Sequence, residues 1–451
     1  MRVRSTVSSL VAIAIVCSTA GAQQRPAIRQ LGPVVGKTTE TFSSIAGVRP
    51  LSGGGVIVND VSGRKLVLFD AGLGTQVLVA DSTSATATAY AGRTGGLIPY
   101  RADSSIFVDP TSMSMLIVDG SGKIARVMSV PRTQDVAMLA GPFSTSVGFD
   151  PIGRLIYRGS PFGAFGGGQR QVTRTDGGGP AGFTPPTFPD SLPIIRVDLA
   201  TRKVDTLAFG RIPKVKLDVQ QGEGRFSVTT IVNPLPTVDD FAVLPDGTLA
   251  MVRGSDYHVD YYAPNGTKTS APKIAFDWQR LTDNDKVAFI DSVKAMRAKV
   301  DSANANRPGG AAPGTAPVGG GGGGPNITII SGGPDGGPRG GGGGGGFGGA
   351  LGGRGGPRVT FVSPSDLPDY KPAFFAGSTK VDARGNLWIR TIPTKKIEGG
   401  PVYDVIDRKG ALVDRVQVPA KTSIAGFGAD GSVFLTLQNG AAFTLAKAKL
   451  R

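Results

Sequence analysis

The sequence predicts an all-β protein: a six-bladed β-propeller of four-stranded antiparallel blades, with one inserted helix and a Gly-rich disordered loop. Three observations predict it. Short apolar, β-branched runs follow Gly- or Asp-containing turns again and again along 451 residues. Gly at 68 and Pro at 33 are high while charged residues are only 18%, the composition of many short strands joined by tight turns. The runs also recur at a spacing of about 48 residues, the length of one propeller blade.

The first turn of each unit carries the repeat. Ser52-Gly53-Gly54-Gly55 precedes Val56-Ile57-Val58, Asp103-Ser104 precedes Ile106-Phe107-Val108, and Asp150-Pro151-Ile152-Gly153 precedes Leu155-Ile156-Tyr157. Pro245-Asp246-Gly247 precedes Leu249, Asp382-Ala383-Arg384-Gly385 precedes Leu387, and Ala429-Asp430-Gly431 precedes Val433. Gly supplies the positive φ that such hairpin turns need. A second hairpin follows in most units, as in Leu66-Val67-Leu68-Phe69-Asp70 leading into Ala71-Gly72. Two steps between units are longer by roughly 46 and 90 residues, which marks insertions. The sixth unit ends after three strands, and the segment 29–35 is the candidate to close the ring as its fourth. A β-sandwich with the same strand count is the structural alternative.

The first residues read as an export signal. Arg2 and Arg4 form a positive start, 10–16 is a short apolar stretch, and Ala20-Gly21-Ala22 suits cleavage after Ala22. Cys17 raises lipidation as an alternative, but Ala14 and Val16 stand where a lipobox has Leu and a small residue. Residues 23–451 then form one propeller domain, periplasmic or extracellular. Cys17 is the only cysteine, so the mature chain has neither disulfide nor thiolate chemistry. No later stretch is long enough to span a membrane. The net charge of +15, or +13 without Arg2 and Arg4, favours acidic partners. For an exported chain these are an unknown protein or a polar, anionic envelope ligand rather than nucleic acid, met as a monomer.

Residues 303–358 include unbroken Gly runs and are expected to be disordered. Just ahead lies a predicted helix over 282–300. Thr282 and Asp285 make a capping box, and Phe289, Ile290, Val293, Met296 and Val300 form a stripe expected to pack onto the propeller. The segment 161–189 is an irregular stretch within the third unit.

The run Val58-Asn59-Asp60-Val61-Ser62-Gly63-Arg64-Lys65-Leu66-Val67-Leu68-Phe69-Asp70 resembles the NHL-type and TolB-like six-bladed propellers, and the likeness extends over 42–450 apart from the insertions. It implies a fold and no single activity. Gluconolactonase-like propellers are a related case. They hold a divalent metal through a Glu in a Glu-Gly-Pro motif and through Asn and Asp of other blades. Here Glu40 is followed by Thr41-Phe42 instead.

Candidate site residues follow from topology. Loops from second to third strands and between blades share one face, and the long insertions are all of this kind. Asn59, Asp60, Asp109, Arg158, Arg253 and Arg390 end second strands there, joined by Asp256, Tyr257 and His258. His258 is the only histidine, with no Gly-x-Ser-x-Gly elbow and no phosphate loop to accompany it. No catalytic residue, resident metal or cofactor is assigned. The leading expectation is an exported recognition module acting through the loop-rich face. The alternative is a metal-dependent hydrolase or lactonase at the axis.

Overall fold

Apolar runs between tight turns fold into five four-stranded sheets, one five-stranded sheet and one three-stranded sheet. The computed structural model describes residues 25–83, 89–92, 94–140, 146–160, 188–222, 225–305, 358–395 and 397–450. The blades span 47–80, 96–129, 148–211, 240–270, 374–417 and 422–449. Their inner strands touch in a closed cycle: Gly47–Pro50, Gly96–Pro99, Gly148–Phe149, Asp240–Val243, Phe374–Val381, Thr422–Phe427 and back to the first. This is a β-propeller and excludes the sandwich.

Burial follows the radius. The second strands Val56–Asp60 and Ser105–Asp109 are buried at every position, because neighbouring blades cover both faces. The outer strands Gln76–Ala80 and Ile124–Ser129 are mostly exposed. The core is therefore a ring of six apolar seams between successive blades rather than one centre. Gly96 shows how closely the inner ring packs: a Cβ there would lie 1.8 Å from the Leu139 carbonyl oxygen. At the tight turns an Asp side chain folds back on its own loop. Asp119 Oδ1 accepts from the N–H of Ser121 and Lys123, and Asp407 Oδ1 from those of Lys409 and Ala411.

The ring closes slightly later than expected. Val34–Lys37 supplies the fourth strand of blade six, antiparallel to Ala442–Lys449. Ile28–Gln30 instead adds a fifth, parallel strand to Leu412–Gln417 of blade five.

One expectation about the insertions needs correction, that of the surface on which the helix packs. The stretch between blades three and four has structure of its own. It forms the hairpin Val215–Gly222 and Arg225–Val232, to which Arg358–Phe361 adds in parallel. The helix spans Asp283–Ala305 and its capping box is reciprocal: Thr282 N–H donates to Asp285 Oδ2, and Asp285 N–H to Thr282 Oγ1. Ile290 and Val293 are its buried apolar residues. With Leu235, Val362 and Leu367, Ile290 makes a separate small core, against which Phe289 packs and which reaches the propeller at Phe375. An apolar stripe fixes which face is buried but not against what. The predicted signal segment 1–22 and the Gly-rich run lie outside the described residues, except that the helix continues to Ala305; 161–187 lies outside as well. Among the described residues no helix is long and apolar enough to cross a membrane.

Candidate functional site

Blade four carries the densest group of charges on the loop-rich face. Its second strand ends at Arg253, and the third begins at His258. The loop between is tight: Tyr257 takes a φ of 52°, and a Cβ on Gly254 would meet the Val238 carbonyl oxygen at 2.0 Å. Alternation along the third strand puts His258 and Asp260 on one side and Val259 and Tyr261 on the other.

A chain of contacts runs inward from the surface. Lys273 Nζ is 3.4 Å from Asp256, whose Oδ1 is 2.6 Å from His258 Nδ1. His258 Nε2 lies 3.4 Å from Asp260 Oδ1. Arg253 donates to Asp260 (2.8 Å) and to Asp239 (2.9 Å), and Arg158 Nη2 reaches the Asp239 carbonyl (3.3 Å). Burial works to raise the Asp260 carboxyl, but Ser270, Arg253 and Lys268 together hold it down to about 2. Asp256 also lies below its usual value: burial opposes ionisation, and His258 and Lys273 overcome it.

Six of the nine predicted residues thus fall into three places in blades three to five. Arg253, Asp256 and His258 join one chain, with Arg158 at its inner end. Tyr257 turns away from them into the seam with blade five, where its hydroxyl donates to Asp404 Oδ2 (3.2 Å). Burial pushes that phenol well above its ordinary value, and the same burial raises Asp404 against the pull of Arg415 and Arg25. Arg390 stands one residue before the end of the second strand of blade five, and its side chain has no hydrogen bond or ion pair among the described residues; its charge acts on the buried Tyr403 beside it.

Asn59, Asp60 and Asp109 are not brought to this chain. Asn59 donates to the Gly95 carbonyl (3.1 Å) and accepts from the Tyr90 hydroxyl (2.8 Å). Asp60 accepts from the N–H groups of Ser43, Ser44 and Gly63, and Asp109 from Thr111 N–H and Ser112 Oγ. Asp109 ties down its own loop, and Asp60 ties its loop to the segment that leads into the inner strand of the same blade. Glu40 pairs with Lys65. Most of these oxygens already hold loops or a lysine, and no three His, Cys, Asp or Glu groups among the described residues are grouped as a ligand set.

Sequence reasoning missed Asp239, Asp240 and Lys380. The adjacent pair Asp239-Asp240, immediately ahead of an apolar inner strand, was the available signal. Lys380 sits within an inner strand, where a lysine breaks the apolar pattern.

No protein-family model matches the chain, and no curated protein matches it. Solved structures similar to it include a gluconolactonase from Xanthomonas campestris, 11% identical over 93% of this chain and 99% of that one, with a TM-score of 0.37. Regucalcin from Agrobacterium tumefaciens, a calcium-binding protein, is 13% identical over 94% and 98%, with a TM-score of 0.38. TolB from Acinetobacter baumannii is 9% identical over 86% and 60%, with a TM-score of 0.30. At such identities the likeness is one of fold alone.

Proposed function

We propose that this chain is an exported recognition module that engages a protein or an anionic envelope ligand through its loop-rich face. The observation behind the proposal is the asymmetry of the two faces. The described turns on one face are short, and most are closed by an Asp side chain of their own, as at Asp119, Asp382 and Asp407. The other face carries the inserted three-stranded sheet with its helix and the charged chain of blade four. A rigid ring bearing elaborated loops on one side is a common design for recognition. Export through residues 1–22, action as a monomer and a preference for acidic partners, from the +15 charge, belong to the same proposal.

Capture of partners from an envelope extract tests it. Lys273→Glu and Lys216→Glu change exposed charges on the loop-rich side, and Lys409→Glu changes one on a tight turn. The first two should abolish capture of the bound species and the third should preserve it. Loss with Lys409→Glu alone, or no captured species at all, overturns the proposal.

The second reading is a metal-dependent hydrolase or lactonase at the axis. The names of the solved structures, a gluconolactonase and a calcium-binding regucalcin, favour this reading over the first. Against it stand the engaged oxygens of Glu40, Asn59, Asp60 and Asp109. Hydrolysis of an aldonolactone by the purified chain, dependent on an added divalent cation, would establish it in place of the first.

A further inference from the structure

On the tight-turn face, several blades are locked to their neighbours by turn residues. Ser52 of blade one donates to Asp103 of blade two, and Arg49 reaches the Ala102 carbonyl. A Cβ on Gly153 of blade three would lie 3.2 Å from Arg101 of blade two, and one on Gly247 of blade four would lie 2.5 Å from Pro151 of blade three. Arg408 of blade five pairs with Asp246 of blade four. Between blades six and one the same face opens instead into a cleft of about 420 Å³, in the range of small-molecule sites. Its walls are Gly36 of the ring-closing strand, Ala71 and Gly72 of a blade-one turn, and Asp430, Gly431 and Ser432 of the first turn of blade six. Three of these residues are glycines and one is alanine, so little side chain fills the space. At Gly431, with a φ of 76°, no atom lies within 4 Å of where a Cβ would stand.

Two lysines complete the lining. Lys447 and Lys449 lie on one side of the third strand of blade six, and Ala446 and Ala448 are buried on the other. Lys447 Nζ is held 3.1 Å from Asp430 Oδ2 and over the Phe434 ring at 5.7 Å. Asp430 Oδ1 accepts from the N–H of Ser432 at 3.0 Å and from its hydroxyl at 2.6 Å. Ser432 and, after it, Lys447 hold the Asp430 carboxyl down to about 2 against burial, so it is ionised at neutral pH. The Lys449 side chain has no hydrogen bond or ion pair among the described residues. The cleft therefore carries two ammonium groups and one carboxylate, and a monoanion balances it. Asp430 is half-exposed and accepts only; it repels a bare carboxylate and takes a hydrogen bond from a hydroxyl. An amino acid would meet both kinds of group but, being neutral overall, would leave the charge of Lys449 unbalanced.

We infer that the cleft between blades six and one is a subsite for a small hydroxy acid, whose carboxylate pairs with Lys449 and whose hydroxyl donates to Asp430. It lies on the face opposite the proposed recognition loops and stands without that reading. Calorimetric titration of the full chain with glycerate, acetate and glycerol at constant ionic strength provides the test. Glycerate carries both groups and should bind; acetate and glycerol each lack one and should bind at least about tenfold more weakly. Lys449→Met should weaken glycerate by about tenfold, and Lys449→Arg should keep most of the affinity. Lys449 is exposed at a strand end, so neither change should disturb the fold. Acetate bound as tightly as glycerate, no binding of glycerate, or unchanged binding in Lys449→Met overturns the inference. Reductive methylation, read by peptide mass spectrometry, gives a second measurement on the unaltered chain. Saturating glycerate should slow labelling of Lys449 several-fold and leave that of Lys409, on a turn of blade five, unchanged. Equal labelling of Lys449 with and without glycerate overturns the subsite.

Discussion

The seam between blades one and two and the seam between blades three and four are built from the same strands in the same order, yet they bury different things. The first is apolar, with Ile57, Leu66, Leu97, Phe107 and Leu116, and its amide Asn59 is satisfied by Tyr90 and the Gly95 carbonyl. The second has a smaller apolar core of Ile156, Ile194, Phe241, Leu249 and Met251, and beside it Arg158, Arg253, Asp239 and Asp260. Removing charges from water is costly, and such a network adds little net stability over apolar packing. The difference separates scaffold from candidate site: the first seam buries isolated polar groups such as Asn59, whereas the second buries a linked set of ion pairs.

Cutting the charged seam should have the largest effect. Asp239→Ala takes one of its two carboxylate partners from Arg253 and the acceptor from two backbone N–H groups, and should cost about 3–5 kcal/mol in urea unfolding. A combined Asp239→Leu and Arg253→Met variant should recover much of that loss. If the combined change costs as much as the sum of both single changes, the seam is held by packing and the contrast fails.

In the apolar seam, Asn59→Ala leaves the Tyr90 hydroxyl buried without its acceptor and should cost about 1–3 kcal/mol. A loss as large as that of Asp239→Ala would erase the distinction between the seams.

Acid provides a finer contrast. Asp260 is held at about 2, below the ordinary 3.8, so its contribution is present above pH ~4 and is lost as pH falls through ~2. Water at the rim of the blade reduces that contribution to about 1 kcal/mol. Asp260→Asn should flatten the acid limb of the stability profile by that amount, while Asn59→Ala should leave the slope unchanged.

The smallest effect should come from outside both seams. Thr282→Ala removes the capping box and should cost about 0.5–1 kcal/mol, seen as earlier hydrogen exchange in the helix alone. Global destabilisation would show that the inserted core and the ring unfold together.

The blades were legible because their signals are local. A tight turn with Gly or Asp and an apolar run after it are fixed by φ preference and burial, so Val56, Ile106, Leu155, Leu249, Leu387 and Val433 all lie in the second strands expected of them. The capping box of Thr282 and Asp285 was legible for the same reason. The candidate site was legible only in part. Asp256, His258 and Arg253 could be gathered because they share one loop, whereas Asp60 and Asp109 read the same way in sequence and yet cap their own turns.

Sequence alone determined the repeat, the order of strands in each blade and the face on which chain is inserted, since each depends on neighbours within a few residues. Only the tertiary structure decided that Asp240 would meet Thr379, that Arg158 would lie over Phe241, and that Ile290 of the helix would pack with Leu235, Val362 and Leu367 and reach the ring at Phe375. These are contacts between residues as far as 139 positions apart. They depend on how a closed ring brings separate blades together, which no local preference encodes.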